Sequence, residues 1–121
     1  MAKQTVHQPG DGRVLQIGDD RATVILDASA TGGAFALVEY LLAPGSGPGQ
    51  HTHDGHESYW ILEGDVIFRL GKDQHELRPG ALLHVPPGVV HGFRNETDQP
   101  AKLLWLFSPA IALDRMGWLQ K

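Results

Sequence analysis

Turn-forming residues interrupt this chain at such short intervals that only a fold of many brief strands accommodates them. Gly18-Asp19-Asp20, Glu63-Gly64-Asp65, Gly71-Lys72-Asp73, Arg78-Pro79-Gly80 and Pro86-Pro87-Gly88 each stop the chain and redirect it. The run Pro44-Gly45-Ser46-Gly47-Pro48-Gly49 suits neither helix nor strand and must be loop. Between these breaks, strands are expected over 13–17, 22–26, 35–42, 50–53, 58–62, 66–70, 74–77, 81–85, 89–94 and 102–107. The small, polar stretch 28–33 reads as a loop. Roughly ten short strands joined by tight turns predict an all-β sandwich or closed barrel. The end of the chain differs. Ser108-Pro109 offers an N-cap and a first helical position. A short helix is expected over 111–119, with Ile111, Met116 and Leu119 on the barrel wall, although Gly117 weakens it.

The 121 residues suit one domain, and 41% apolar residues suffice for one core. Residues 1–12 read as a flexible arm and 13–121 as the domain. The formal net charge is -4 with both signs interspersed. Without a basic patch or polybasic run, neither nucleic acid nor anionic lipid is an expected partner. Cysteine is absent, which removes disulfides, thiolate metal sites and cysteine nucleophiles together. The first ten residues lack the apolar centre of a signal peptide. The longest apolar stretch, 34–43, carries Glu39 and is too short to span a membrane. A soluble cytoplasmic protein is the expectation.

The sharpest local feature is His51-Thr52-His53-Asp54-Gly55-His56-Glu57. Residues two apart on a strand share a face, so His51 and His53 present two imidazoles side by side. Asp54-Gly55 breaks the strand and lets the Glu57 carboxylate fold back beside them. Two imidazoles and a carboxylate form a standard set for Fe, Mn, Ni, Cu or Zn. An isolated His-x-His is more often a polar surface loop. His91, beyond Pro86-Pro87-Gly88 on a separate strand, offers a third imidazole from across the barrel.

These residues carry a family resemblance. Gly45, His51, His53, Glu57 and Gly64 match the first signature of the cupin superfamily in type and spacing. Gly80, Pro86, Gly88, His91 and Asn95 match the second. The resemblance implies a double-stranded β-helix, or jelly-roll barrel, holding one divalent metal ion per chain with His51, His53, Glu57 and His91. Gly45 and Gly64 suit turns with positive φ, and Asn95 suits a side-chain tie to a loop backbone. Thr31-Gly32-Gly33-Ala34-Phe35, the stretch from Val85 to Asn95 and Leu106-Phe107-Ser108-Pro109-Ala110 are also similar to small cupins related to quercetin 2,3-dioxygenase.

Parity along the strands sorts the neighbours. Tyr59 and Ile61 share a face with Glu57, and Phe93 shares one with His91, so these three are expected as walls of a substrate pocket or as plain core. His56 points away from the metal, as a solvated residue or a substrate contact. His84, opposite Leu83 and Val85, is expected to be buried in a sheet or a subunit contact. His7 and His75 read as surface residues. Trp60 and Trp105 read as outward residues covered by a second subunit, or as core. Exposed sheet edges favour a homodimer.

Four protein ligands leave coordination positions open, as a catalytic site does. The expected function is therefore a metal-dependent enzyme acting on a small enolisable or aromatic compound, with dioxygenation first. A non-redox isomerase, cyclase or lyase is the alternative, and a non-enzymatic small-molecule binding module the third. Glu57, by detaching, is the expected general base.

Overall fold

A computed structural model describes residues 2–110 of the chain. Among them, nine strands form two antiparallel sheets. In spatial order, the larger contains β1 (Arg13–Ile17), β2 (Asp20–Leu26), β3 (Ala36–Leu42), β9 (Ala101–Ser108), β4 (His56–Glu63) and β7 (Leu82–Val85). The smaller contains β6 (Asp73–Leu77), β5 (Val66–Leu70) and β8 (His91–Arg94). The pairings β3–β9, β9–β4, β4–β7 and β5–β8 join strands distant in sequence. The chain must therefore cross repeatedly between sheets, which is the winding of a jelly roll.

Alternation produces the core. In β3 the buried residues are Ala36, Val38, Tyr40 and Leu42, and in β9 they are Ala101, Leu103, Trp105 and Phe107. Register places these two rows opposite each other, and Tyr59 and Ile61 of β4 continue them. The second sheet closes on this face through Phe68 and Phe93. Tyr59 lies 4.9 Å from Phe68 between ring centroids, and Tyr40 meets Phe93 edge-on at 5.9 Å. Each fully buried side chain of this size contributes about 1.5–3 kcal/mol of transfer free energy.

Turn chemistry sets the connections. Gly64 has φ +78° between β4 and β5, and a Cβ there would press on Ala101 at 3.0 Å. Asn95 is fully buried. Its amide donates to Leu42 O and Gln99 O while its oxygen accepts from Thr97 N and Oγ1, the expected backbone tie.

Two expectations about the scaffold change. The stretch 28–33 contains a helical turn, α1 (Ala28–Thr31), because Asp27 caps it by accepting from Ala30 N and Gly32 closes it in the left-handed conformation. Asp20 belongs to β2 rather than to the preceding turn, and is buried. Its carboxylate accepts from Tyr40 Oη at 2.7 Å and Ala43 N at 2.9 Å. Burial and this bond to Asp20 push the Tyr40 pKa far up. Ser108 ends β9, and its hydroxyl donates to Ala34 O. The helix expected over 111–119 lies outside the described residues. The arm touches the domain where Lys3 N donates to Ala30 O. Among the described residues no helix is long and apolar enough to cross a membrane.

Candidate metal centre

Two backbone segments bring the histidines together. His51 and His91 exchange both N–H···O bonds at 2.8 Å, making one antiparallel bridge between the loop after Gly49 and β8. Residues directly opposite in such a pair point the same way, so their rings meet at 4.4 Å between centroids. Gly88 N donates to His53 O and fixes the other end of the segment. The strand expected over 50–53 thus reduces to a single bridge at His51, because Gly88 and His91 supply two anchors without a continuous ladder. His51 and His53 still stand side by side, 4.8 Å apart between ring centroids.

Backbone carbonyls orient two of the rings. His51 Nδ1 lies 2.7 Å from Gly49 O, and His91 Nδ1 lies 2.9 Å from Val89 O. A carbonyl only accepts, so both Nδ1 atoms carry a proton, and in the neutral ring each Nε2 is the nitrogen whose lone pair a metal can take. One ligand nitrogen from each of His51, His53 and His91 lies within 4.8 Å of the others. Bonds of about 2.1 Å to a shared ion would need at most about 4 Å between ligand atoms, a spacing close to that of these nitrogens.

Glu57 enters from β4, buried beneath the rings. Its Oε2 is 2.6 Å from His91 Nε2, and its Oε1 is 3.7 Å from His53 Nε2. Oε2 and His91 Nε2 are fully enclosed, and despite their separation neither has a partner in hydrogen-bond geometry. An unsatisfied buried polar atom costs about 1–3 kcal/mol, and a cation facing both satisfies both. Three imidazoles beside a carboxylate suit a divalent first-row metal and not Ca or Mg, which take oxygen ligands. The residues present therefore fit such an ion.

The charges around the cluster are coupled. Burial lowers the His51 pKa, with help from His91 and His53, against the pull of Gly49 O and Glu57. Burial also works to lower the His91 pKa, but the Glu57 carboxylate and Val89 O outweigh it, and the net direction is up. Tyr59 is pushed well up by burial and by adjacent Glu57, so its phenol stays neutral. Its hydroxyl has no partner in hydrogen-bond geometry.

Other residues fall into place around this cluster. Tyr59 approaches it, 6.3 Å from His91 between centroids. Phe93 stacks on Phe68 in the core. Ile61, four residues beyond Glu57, is roughly 13 Å further along β4 at ~3.3 Å per residue. All three are buried. His56 and His84 are exposed, so His84 is not buried in the sheet. Their facing nitrogens are 3.0 Å apart and their rings nearly coplanar, 12° between planes, as in a direct N–H···N bond. Trp60 is exposed, whereas Trp105 is buried and its Nε1 donates to Glu57 Oε1 at 3.2 Å. Sequence reasoning missed this donor because 103–107 is a continuous apolar run. The available signal was charged Lys102, whose outward position turns 103, 105 and 107 inward.

Comparison with known proteins agrees with this architecture. A model of the cupin domain matches residues 38–107. Quercetin 2,3-dioxygenase of Bacillus subtilis (strain 168) is 31% identical over 88% of this chain, which spans only 32% of that enzyme. The tetracenomycin polyketide synthase protein TcmJ of Streptomyces glaucescens is 27% identical over 84% of this chain and 68% of its own. The structure of a predicted oxalate decarboxylase from Thermotoga maritima superposes with a TM-score of 0.80 at 21% identity, covering 87% of this chain and 99% of that one. With a family match over more than half of its length, a jelly-roll barrel and a three-histidine cluster at one site, the chain belongs to the cupin family.

Proposed function

We propose that this protein is a metal-dependent enzyme that oxidises a small enolisable or aromatic compound with O2, with His51, His53, Glu57 and His91 as the ligands of one divalent ion. The observation that carries the reading is the pair of enclosed, unsatisfied atoms, Glu57 Oε2 and His91 Nε2, beside two further imidazoles. Likeness to quercetin 2,3-dioxygenase supports oxygen chemistry. When bound, the ion supplies Lewis acidity and, if redox-active, electron transfer to O2. The protein's own groups do the rest. Nδ1–H bonds to Gly49 O and Val89 O hold His51 and His91 in one tautomer. Tyr59, Trp105 and Phe107 exclude water from the inner side of the cluster. Glu57 Oε2, on detaching from the ion, would take the proton of a substrate enol or phenol, while Oε1 stays tied to Trp105.

A second reading, a non-redox isomerase, cyclase or lyase using the same base, is favoured by likeness to the polyketide synthase protein TcmJ. A binding module without catalysis has no use for a buried base. Oxygen uptake with a panel of flavonols and enolisable aromatic ketones separates the readings. Glu57→Gln is expected to turn over at least ~100-fold more slowly at matched metal content, the lower end for loss of a general base. Turnover without oxygen uptake selects the second reading, and normal turnover by Glu57→Gln removes the base. The protein is expected to act as a homodimer, since exposed Trp60 and Leu82 are register partners on the outer face of β4 and β7.

A further inference from the structure

We propose that Trp105 is a positioning residue that fixes which oxygen of Glu57 faces the metal. The inference rests on Glu57 being a ligand and goes beyond it by naming what holds the ligand. The carboxylate is almost wholly enclosed, with 1% of its surface exposed, so water cannot settle its orientation. The indole Nε1–H meets Oε1 at 3.2 Å. An indole only donates and a carboxylate only accepts, so the direction of this bond is unambiguous. Oε1, 3.7 Å from His53 Nε2, is thereby held to the indole, and Oε2 is the oxygen turned toward His91 Nε2 at 2.6 Å.

The donor itself is held rigidly. Trp105 stands opposite Tyr59 in the β9–β4 register, and their rings stack at 5.4 Å with 23° between planes. Tyr40 and Phe107 pack edge-on against its other sides, at 5.9 Å and 5.4 Å. A locked indole does for the carboxylate what Gly49 O and Val89 O do for the imidazoles. Partners of this kind orient a ligand before the metal arrives, and their loss typically costs 10–100-fold in affinity.

The test uses Co(II) as the probe, with affinity read by competition against a chromophoric chelator and ligand geometry read from the Co(II) absorption bands. Trp105→Phe keeps an aromatic ring against Tyr59 and removes only the N–H side of the indole. Its Co(II) affinity is expected to fall about 10–100-fold with an altered band pattern. In a Glu57→Ala background the same change is expected to add nothing, because Trp105 acts through the carboxylate. Should Trp105→Phe not fold, Trp105→Gln, which restores an N–H donor, is expected to bind Co(II) more tightly than Trp105→Ala. Wild-type affinity and bands in folded Trp105→Phe, equal loss in both backgrounds, or no advantage of Gln over Ala overturns the proposal. Unchanged affinity in Glu57→Ala alone overturns instead the reading of Glu57 as a ligand.

Discussion

Metal binding should compete with protons, chiefly at His91. A metal needs the His91 Nε2 lone pair, and the Glu57 carboxylate 2.6 Å away raises the pKa of that ring. As pH falls through the raised pKa, each further unit costs about 1.4 kcal/mol, or tenfold in apparent affinity, for one displaced proton. His51 has a lowered pKa and joins only at more acidic pH, where the dependence steepens. The sign for the metal-free fold is opposite. A pKa raised above its unfolded value contributes stability that is complete below the unfolded value near 6.5 and is lost as pH rises through the folded value. The gain in melting temperature on adding Zn or Co should therefore grow steadily from pH 5.5 to 8. In Glu57→Gln the raising charge is gone, so the onset of proton competition should move to lower pH. Chelator competition across this range checks both statements. An affinity that is flat between pH 8 and 5.5, or an onset unmoved by Glu57→Gln, refutes the coupling of His91 to Glu57.

Two further predictions concern the scaffold and the assembly. Tyr40→Phe keeps the ring between Phe93 and Trp105 but removes the hydroxyl bonded to buried Asp20. Urea unfolding should show a loss of about 1.5–3 kcal/mol, the usual worth of a hydrogen bond to a charged group, and a loss below about 0.5 kcal/mol contradicts it. Light scattering at micromolar concentration should give a dimer mass that Trp60→Lys with Leu82→Glu reduces to a monomer mass. A wild-type monomer removes the assembly.

Most of the strand pattern was legible because turns and period-two alternation are local. The spans 13–17 and 66–70 coincide with β1 and β5. What escaped depends on pairing. The segment 50–53 carries strand-like residues, but a ladder needs a partner along its whole length, and β8 offers His51 only one bridge. Asp20 looked like a turn residue because its partners, Tyr40 and Ala43, lie across a sheet. The histidines and Glu57 were visible as a cluster through spacing, whereas Trp105 was not, since its bond to Glu57 exists only once β9 lies beside β4. Gly47 shows the same limit. It reads as loop filler, yet a Cβ there would stand 2.1 Å from Phe93 O, so its small size sets how closely the loop packs on β8.

The most direct test of the account is the metal content of protein purified without added metal, compared with His51→Ala, His53→Ala and His91→Ala. Elemental analysis should find about one divalent first-row ion per wild-type chain, bound with nitrogen ligands at ~2.0–2.2 Å by X-ray absorption. Each variant should keep its β-sheet circular dichroism, because the core of Tyr59, Phe68, Leu103 and Phe107 does not depend on these rings, and should lose the ion. Three folded variants that all retain full metal occupancy would contradict the assignment of the site.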